Sequence, residues 1–197
     1  MFANASSFAF AAYGFWLARA APTRVQIGAL VLAAAGVALL MGGSYELSPR
    51  YFRGDLLSLL AALFYTGYLI AIGRARATVP SLPLLTLATI AAAVPLLVAS
   101  LMLGETVVPT HWTPLVLLAL GSQIVGQGLL VYAMGHLSPL VVGLGLLTQP
   151  ATAAVIGWFA YAERLTPLDA IGAVAIGAAL VLVRLPPRAA RLAPSPR

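Results

Sequence analysis

The chain has 197 residues, 61% of them hydrophobic and 8% charged, with a net charge of +6 and no cysteine. A soluble domain carries about 25% charged residues, so this composition excludes a water-soluble globule, and the absence of cysteine excludes disulfides and thiolate chemistry. What remains is an all-α, polytopic membrane helix bundle of about seven transmembrane helices.

Apolar runs of roughly 17 to 25 residues, each long enough to cross a hydrocarbon core of about 30 Å as a helix, follow one another with short polar breaks. They fall at about 3–18, 25–43, 55–73, 82–103, 113–134, 139–161 and 167–184. Pro22 with Thr23, Ser48 with Pro49, Pro80 with Pro83, Pro109 to Pro114, Ser138 with Pro139 and Thr166 with Pro167 punctuate them. Several of these prolines stand where a new helix begins and the missing N–H costs nothing.

The first run opens MFANASS, without the basic start or the small-residue cleavage pattern of a secretory leader. In the third run, Asp55 stands at the helix beginning, where a carboxylate meets the positive end of the dipole. Deeper in that run, Tyr65, Thr66 and Tyr68 form a polar and aromatic cluster, with Ser58 two turns earlier on the Tyr65 face. Such rings cap an apolar cavity and supply a hydrogen bond. Thr86 and Thr89 of the fourth run bond backward within their own helix, and Pro95 predicts a packing kink.

The fifth run carries Gln123 and Gln127, four apart and on one face, with Tyr132 further along. A pair of amides suits a zwitterionic or neutral polar solute; the alternative is interhelical glue. Gln149 beside Pro150 in the sixth run places an amide at a second kink. Asp169 opens the seventh run as a cap. The solute-facing candidates are therefore Gln123, Gln127, Tyr65, Tyr68, Gln149 and Tyr132.

Glu46, Asp55, Glu105, Glu163 and Asp169 all lie at or beside breaks, so no carboxylate is placed to carry a proton through the centre. His111 and His136 lie at run ends without acidic neighbours in a ligand spacing, which argues against a metal site. No nucleophile with a base and no interior aspartate pair appears, so enzymatic chemistry and cofactors are not expected. Arg19, Arg24, Arg74, Arg76, Arg184, Arg188, Arg191 and Arg197 fall on one set of alternate breaks and the tail, against Arg50, Arg53 and Arg164 on the other. The positive-inside rule places the first set and the C-terminus in the cytoplasm. The basic, Pro-rich tail 185–197 is expected to be disordered and to lie against anionic lipid rather than nucleic acid.

An internal echo organises the whole. Phe15 to Leu39 reappears in altered form as Phe159 to Val183, aligning Gly28 with Gly172. Five steps along the run count separate these helices, so the equivalents point in opposite directions, as in the inverted repeats of secondary transporters. Residues 1–43 then read as the last two helices of one five-helix repeat and 54–184 as a complete second one. Ala29 with Ala33, and Ala173 with Gly177, give small-x-x-x-small stripes for a contact between halves or between protomers, the latter making a homodimer.

GDLLSLLAALFYTGYLIAIGRARA at 54–77, GSQIVGQGLLVYAMGHLSP at 121–139 and QPATAAVIGWFAYAERLTPLDAIGAVAIGAALVLV at 149–183 resemble the drug/metabolite transporter superfamily, and its EamA-type members in particular. The Glu163-Arg164-x-Thr166-Pro167 hinge is the most specific of these matches. The resemblance implies a ten-helix, five-plus-five bundle in a bacterial inner membrane, carrying small metabolites. This chain departs from it by lacking about three leading helices and by having Arg19 where the second hinge has Glu163. The sequence thus points to alternating-access transport of a small metabolite, with a non-transporting assembly remnant as the rival.

Overall fold

The computed structural model describes residues 4–19, 21–42, 52–162 and 165–184. The expectations for Glu46, Ser48, Pro49, Arg50, Glu163, Arg164 and the tail 185–197 fall outside those residues. Every described element is helical: α1 (Ala5–Ala18), α2 (Arg24–Gly42), α3 (Phe52–Ala75), α4 (Ser81–Met102), α5 (Trp112–Leu118), a π-helical segment (Ala119–Gln127), α6 (Gly128–Met134), α7 (Pro139–Leu146), α8 (Thr148–Tyr161) and α9 (Pro167–Arg184). Five stretches among the described residues are long and apolar enough to cross a membrane: α3, α4, Trp112–Met134, Pro139–Tyr161 and α9. With the shorter apolar helices α1 and α2 they reproduce the seven expected runs, and the protein is a polytopic membrane helix bundle.

The fifth and sixth runs are each subdivided. Trp112–Met134 passes through nine residues of π-helix, a form that is rare and concentrates at functional sites. Pro139–Tyr161 breaks at Leu147 rather than at Pro150, which lies in the first turn of α8. Proline has no N–H for the carbonyl four residues earlier, that of Leu146, so the interruption moves upstream of the ring. Pro95 differs, since α4 runs through it as one helix. Gly104 ends α4 at φ 70, and the Glu105 N–H donates to the Ser100 carbonyl at 3.0 Å, closing the last turn around a left-handed glycine.

The chain divides into two compact units, 1–67 with 139–197, and 68–138. In the first unit the echo is visible as structure, in a register one residue away from the sequence alignment. Helices α1 and α8 both have 14 residues, and α2 and α9 begin at Arg24 and Pro167. Starts, ends and following starts are each 143 positions apart (148 minus 5, 161 minus 18, 167 minus 24). The caps agree: Arg19 (φ 47) and Ala162 (φ 53) are both left-handed. Each hinge then closes with a reciprocal capping box. The Thr23 N–H donates to Gln26 Oε1 at 2.9 Å and the Gln26 N–H to Thr23 Oγ1 at 3.3 Å. The Thr166 N–H and hydroxyl both donate to Asp169 Oδ2 at 2.8 Å, and the Asp169 N–H returns to Thr166 Oγ1 at 3.2 Å. The expected capping role of Asp169 is therefore present.

This register decides which faces are buried. Ala29, Ala33, Gly36 and Val37 are buried on α2; Gly172, Ile176 and Ala179, 143 positions after the first three of these, are buried on α9. Gly36 meets Gly172, and a Cβ on either would stand 2.7 Å from the other's carbonyl oxygen. That meeting point is at the C-terminal end of the α2 stripe and the N-terminal end of the α9 stripe, so the helices lie antiparallel, as an inverted repeat requires. The expected Ala29 and Ala33 stripe is in place. On α9 the expected Ala173 and Gly177 stripe is not the contact, because Gly177 is exposed and the buried positions are one residue earlier. Gly28, the aligned partner of Gly172, faces open space.

Helix α1 packs against α7 by a second close approach. Gly14 meets Pro139 and Leu140, whereas Gly143 meets Ser7 and Ala11, so this pair is also antiparallel. Ala11, Leu140, Leu144 and Leu147 join Ala29, Ala33, Val37, Ile176 and Ala179 in one apolar core. In the second unit, Arg76 fastens the end of α3 to the middle of α6. Its Nε donates to the Val131 carbonyl at 3.0 Å and its Nη1 to the Val79 carbonyl at 2.7 Å. Gly135 lies under the guanidinium, where a Cβ would stand 2.8 Å from Cζ.

Candidate functional site

In the first unit, α1, α3 and α8 border an open cavity of about 440 Å³ lined by Asn4, Ser6, Ser7, Ser58, Tyr65 and Gln149, with Ala61 and Ala62 as its small apolar wall. This volume lies within the range of about 300–1,000 Å³ typical of small-molecule sites. Two of the six sequence candidates, Tyr65 and Gln149, are thus brought together, and Ser58 joins them from the Tyr65 face as its spacing implied. Ser6 and Ser7 are buried, Gln149 is exposed to the cavity, and Asn4, Ser6 and Tyr65 are each engaged by neighbouring groups. Each lining side chain is uncharged.

The break at Leu147 is what presents Gln149. Ending α7 and restarting α8 at Thr148 puts Gln149 in a first turn, beside the ring of Pro150. Thr148 Oγ1 donates back across the break to the Gly145 carbonyl at 2.7 Å, holding the restart. On α3, the Thr66 hydroxyl turns back to the Ala62 carbonyl at 2.8 Å, leaving Tyr65 as the hydroxyl-bearing side chain of that cluster at the cavity.

Gln123, Gln127 and Tyr68 lie in the second unit. Gln123 Nε2 donates to Thr89 Oγ1 at 2.8 Å, tying the π-helical segment to α4. The Tyr68 hydroxyl donates to Gln127 Oε1 at 3.5 Å, a long bond that reaches the same segment from α3. Thr86 and Thr89 donate backward to the Leu82 and Leu85 carbonyls at 3.0 and 2.8 Å, as expected. Thr89 is in addition the acceptor for Gln123, a pairing that spacing along one helix does not reveal. Tyr132 is 55% exposed, and its ring lies 4.4 Å from that of His136. Among the described residues no group of three or more His, Cys, Asp or Glu side chains is gathered as a metal site would need.

Sequence reasoning passed over Ser6, Ser7 and Asn4. The signal was present as two adjacent serines in an apolar run, but it gains meaning only from the 143-position register, which makes Ser6 the counterpart of Gln149. No curated protein and no solved structure matches the chain. A family model described as the EamA-like transporter family matches residues 52–185, more than half of the 197. That stretch runs from the start of α3 to the end of α9, taking in Tyr65 and Gln149, and the antiparallel contacts of α1 and α2 with α7 and α9 extend its helical pattern beyond it. The chain belongs to the EamA-like transporter family.

Proposed function

We propose that this protein is a secondary carrier that moves a small polar or amphipathic metabolite across a bacterial inner membrane by alternating access, with its C-terminus in the cytoplasm. The observation that carries this reading is the cavity of Tyr65, Ser58, Ser6 and Gln149 in a unit whose fully buried large side chains, Phe10, Leu144, Leu147 and Ile176, are all apolar. Polar groups in a membrane interior are costly unless they serve a partner or a passenger. In this reading residues 54–184 form one five-helix repeat, α1 and α2 are the closing pair of its inverted counterpart, and the arginine-rich breaks face the cytoplasm.

Tyr65 and Gln149 contact the solute in the first unit. Taken by itself, the second unit holds the other candidate contacts, Gln123, Gln127, Tyr68 and Tyr132. The test is flux of amino acids, nucleosides and drug-like cations into proteoliposomes containing the intact chain. Gln149→Ala is expected to lower flux about tenfold with unchanged melting, the effect of one lost hydrogen bond to the solute. Gln123→Ala/Gln127→Ala separates two roles: lost flux at constant melting marks solute contact, and lowered melting marks a helix tie. Flux that is indifferent to all three substitutions would overturn these contacts, and no flux from folded protein would favour the assembly role over the carrier.

A further inference from the structure

Resting on that carrier reading, we propose that Ser6 and Gln149 are twin selector positions facing one another across a single solute cavity, and that the solute they select is net-neutral with hydrogen-bonding groups at both ends.

The repeat register carries the first part. Ser6 and Gln149 are 143 positions apart, the same separation as the helix starts, helix ends and caps of the two copies. In an arrangement with a two-fold axis, twin positions meet only near that axis. The α2 and α9 contact obeys such an axis: Gly36 touches Gly172, and their twins Ala179 and Ala29 are both fully buried. Ser6 and Gln149 line the same cavity, so the axis passes beside it. Helix α1 therefore contributes to the site as the counterpart of α8, although it lies outside the stretch matched by the family.

The chemistry of the lining carries the second part. Three serines, an asparagine, a tyrosine and a glutamine offer donors and acceptors without a fixed charge. An ion of either sign entering would shed water without meeting a counter-charge. The twins also differ in a useful way, a short buried hydroxyl on one wall and a longer exposed amide on the other. This inequality gives the cavity two distinguishable ends and fixes one orientation of the solute.

Because the chain has no cysteine, Ser6→Cys and Gln149→Cys can be read against no background in the full-length protein. With N-ethylmaleimide as the reagent, any neutral amino acid or nucleoside carried by the unmodified protein is expected to slow alkylation at both positions several-fold, with one shared concentration dependence. Glutamate and arginine are expected to slow neither. Gln149→Glu is expected to shift preference toward arginine over leucine by about tenfold. Protection confined to one position, or different concentration dependences at the two, would overturn the shared site while leaving transport intact. If the unmodified chain carries nothing, the carrier reading falls, and bridging of the Ser6→Cys/Gln149→Cys pair within one chain by a short bis-maleimide decides the shared cavity alone. Failure to bridge in folded protein overturns it.

Discussion

At the C-termini of α1 and α8, Arg19 and Ala162 adopt left-handed backbone, a conformation that costs a residue with a Cβ roughly 1–2 kcal/mol and glycine almost nothing. Ala162→Gly is therefore expected to stabilise the protein by about 1 kcal/mol, seen as a higher melting midpoint in detergent, whereas Ala162→Val should lower it. Strain at matched positions of both copies follows from the hinge geometry, since each chain must turn within four residues from a C-cap to the Thr that caps the next helix. Tyr65 and Gln149 were legible as cavity-lining candidates because a hydroxyl or amide deep in an apolar run needs a partner. Their neighbours Ser6 and Ser7 were not, because serine in a membrane helix commonly satisfies itself on its own backbone, and only the fold shows which serine faces a cavity.

Helix positions were legible almost to the residue, since apolar run length and proline punctuation fix where a membrane helix can start and stop. The register of the repeat was not. Ile27-Gly28-Ala29 and Ile171-Gly172-Ala173 match by letter, but caps and burial set the true correspondence one position away, with Ala29 the repeat counterpart of Gly172. Letter identity reports composition, whereas a helix face is decided by where the cap starts the count. Paired substitutions test this at the scale of the element. Gly172→Ala drives a Cβ against the Gly36 carbonyl oxygen at 2.7 Å and is expected to cost about 1–3 kcal/mol. Gly28→Ala meets nothing within 4 Å and is expected to be neutral or to gain about 0.5–1 kcal/mol. Equal effects of the two on melting would contradict the register. Removing the second capping box with Asp169→Ala is expected to lower the melting midpoint.

For the whole molecule, the alternation of arginines makes a topological prediction that the lack of cysteine renders simple to check. Thr78→Cys, beside Arg74 and Arg76, is expected to react with a membrane-impermeant maleimide only from the cytoplasmic side, and Thr110→Cys only from the other. Arg76 ties the break after α3 to α6 through the Val131 carbonyl, and Gly135→Ala, which would press on the end of its guanidinium, is expected to weaken that tie and lower the melting midpoint slightly.

The helices also differ in reach. Helix α3 has 24 residues, roughly 36 Å of rise, and α9 has 18, roughly 27 Å. Standing upright, α3 exceeds a hydrocarbon slab of about 30 Å, so its terminal charges Arg53, Asp55 and Arg74 stand at or beyond the edges of the slab unless the helix inclines. Acyl-chain length therefore becomes a variable that decides how much of α3 the bilayer covers and how far the helix inclines.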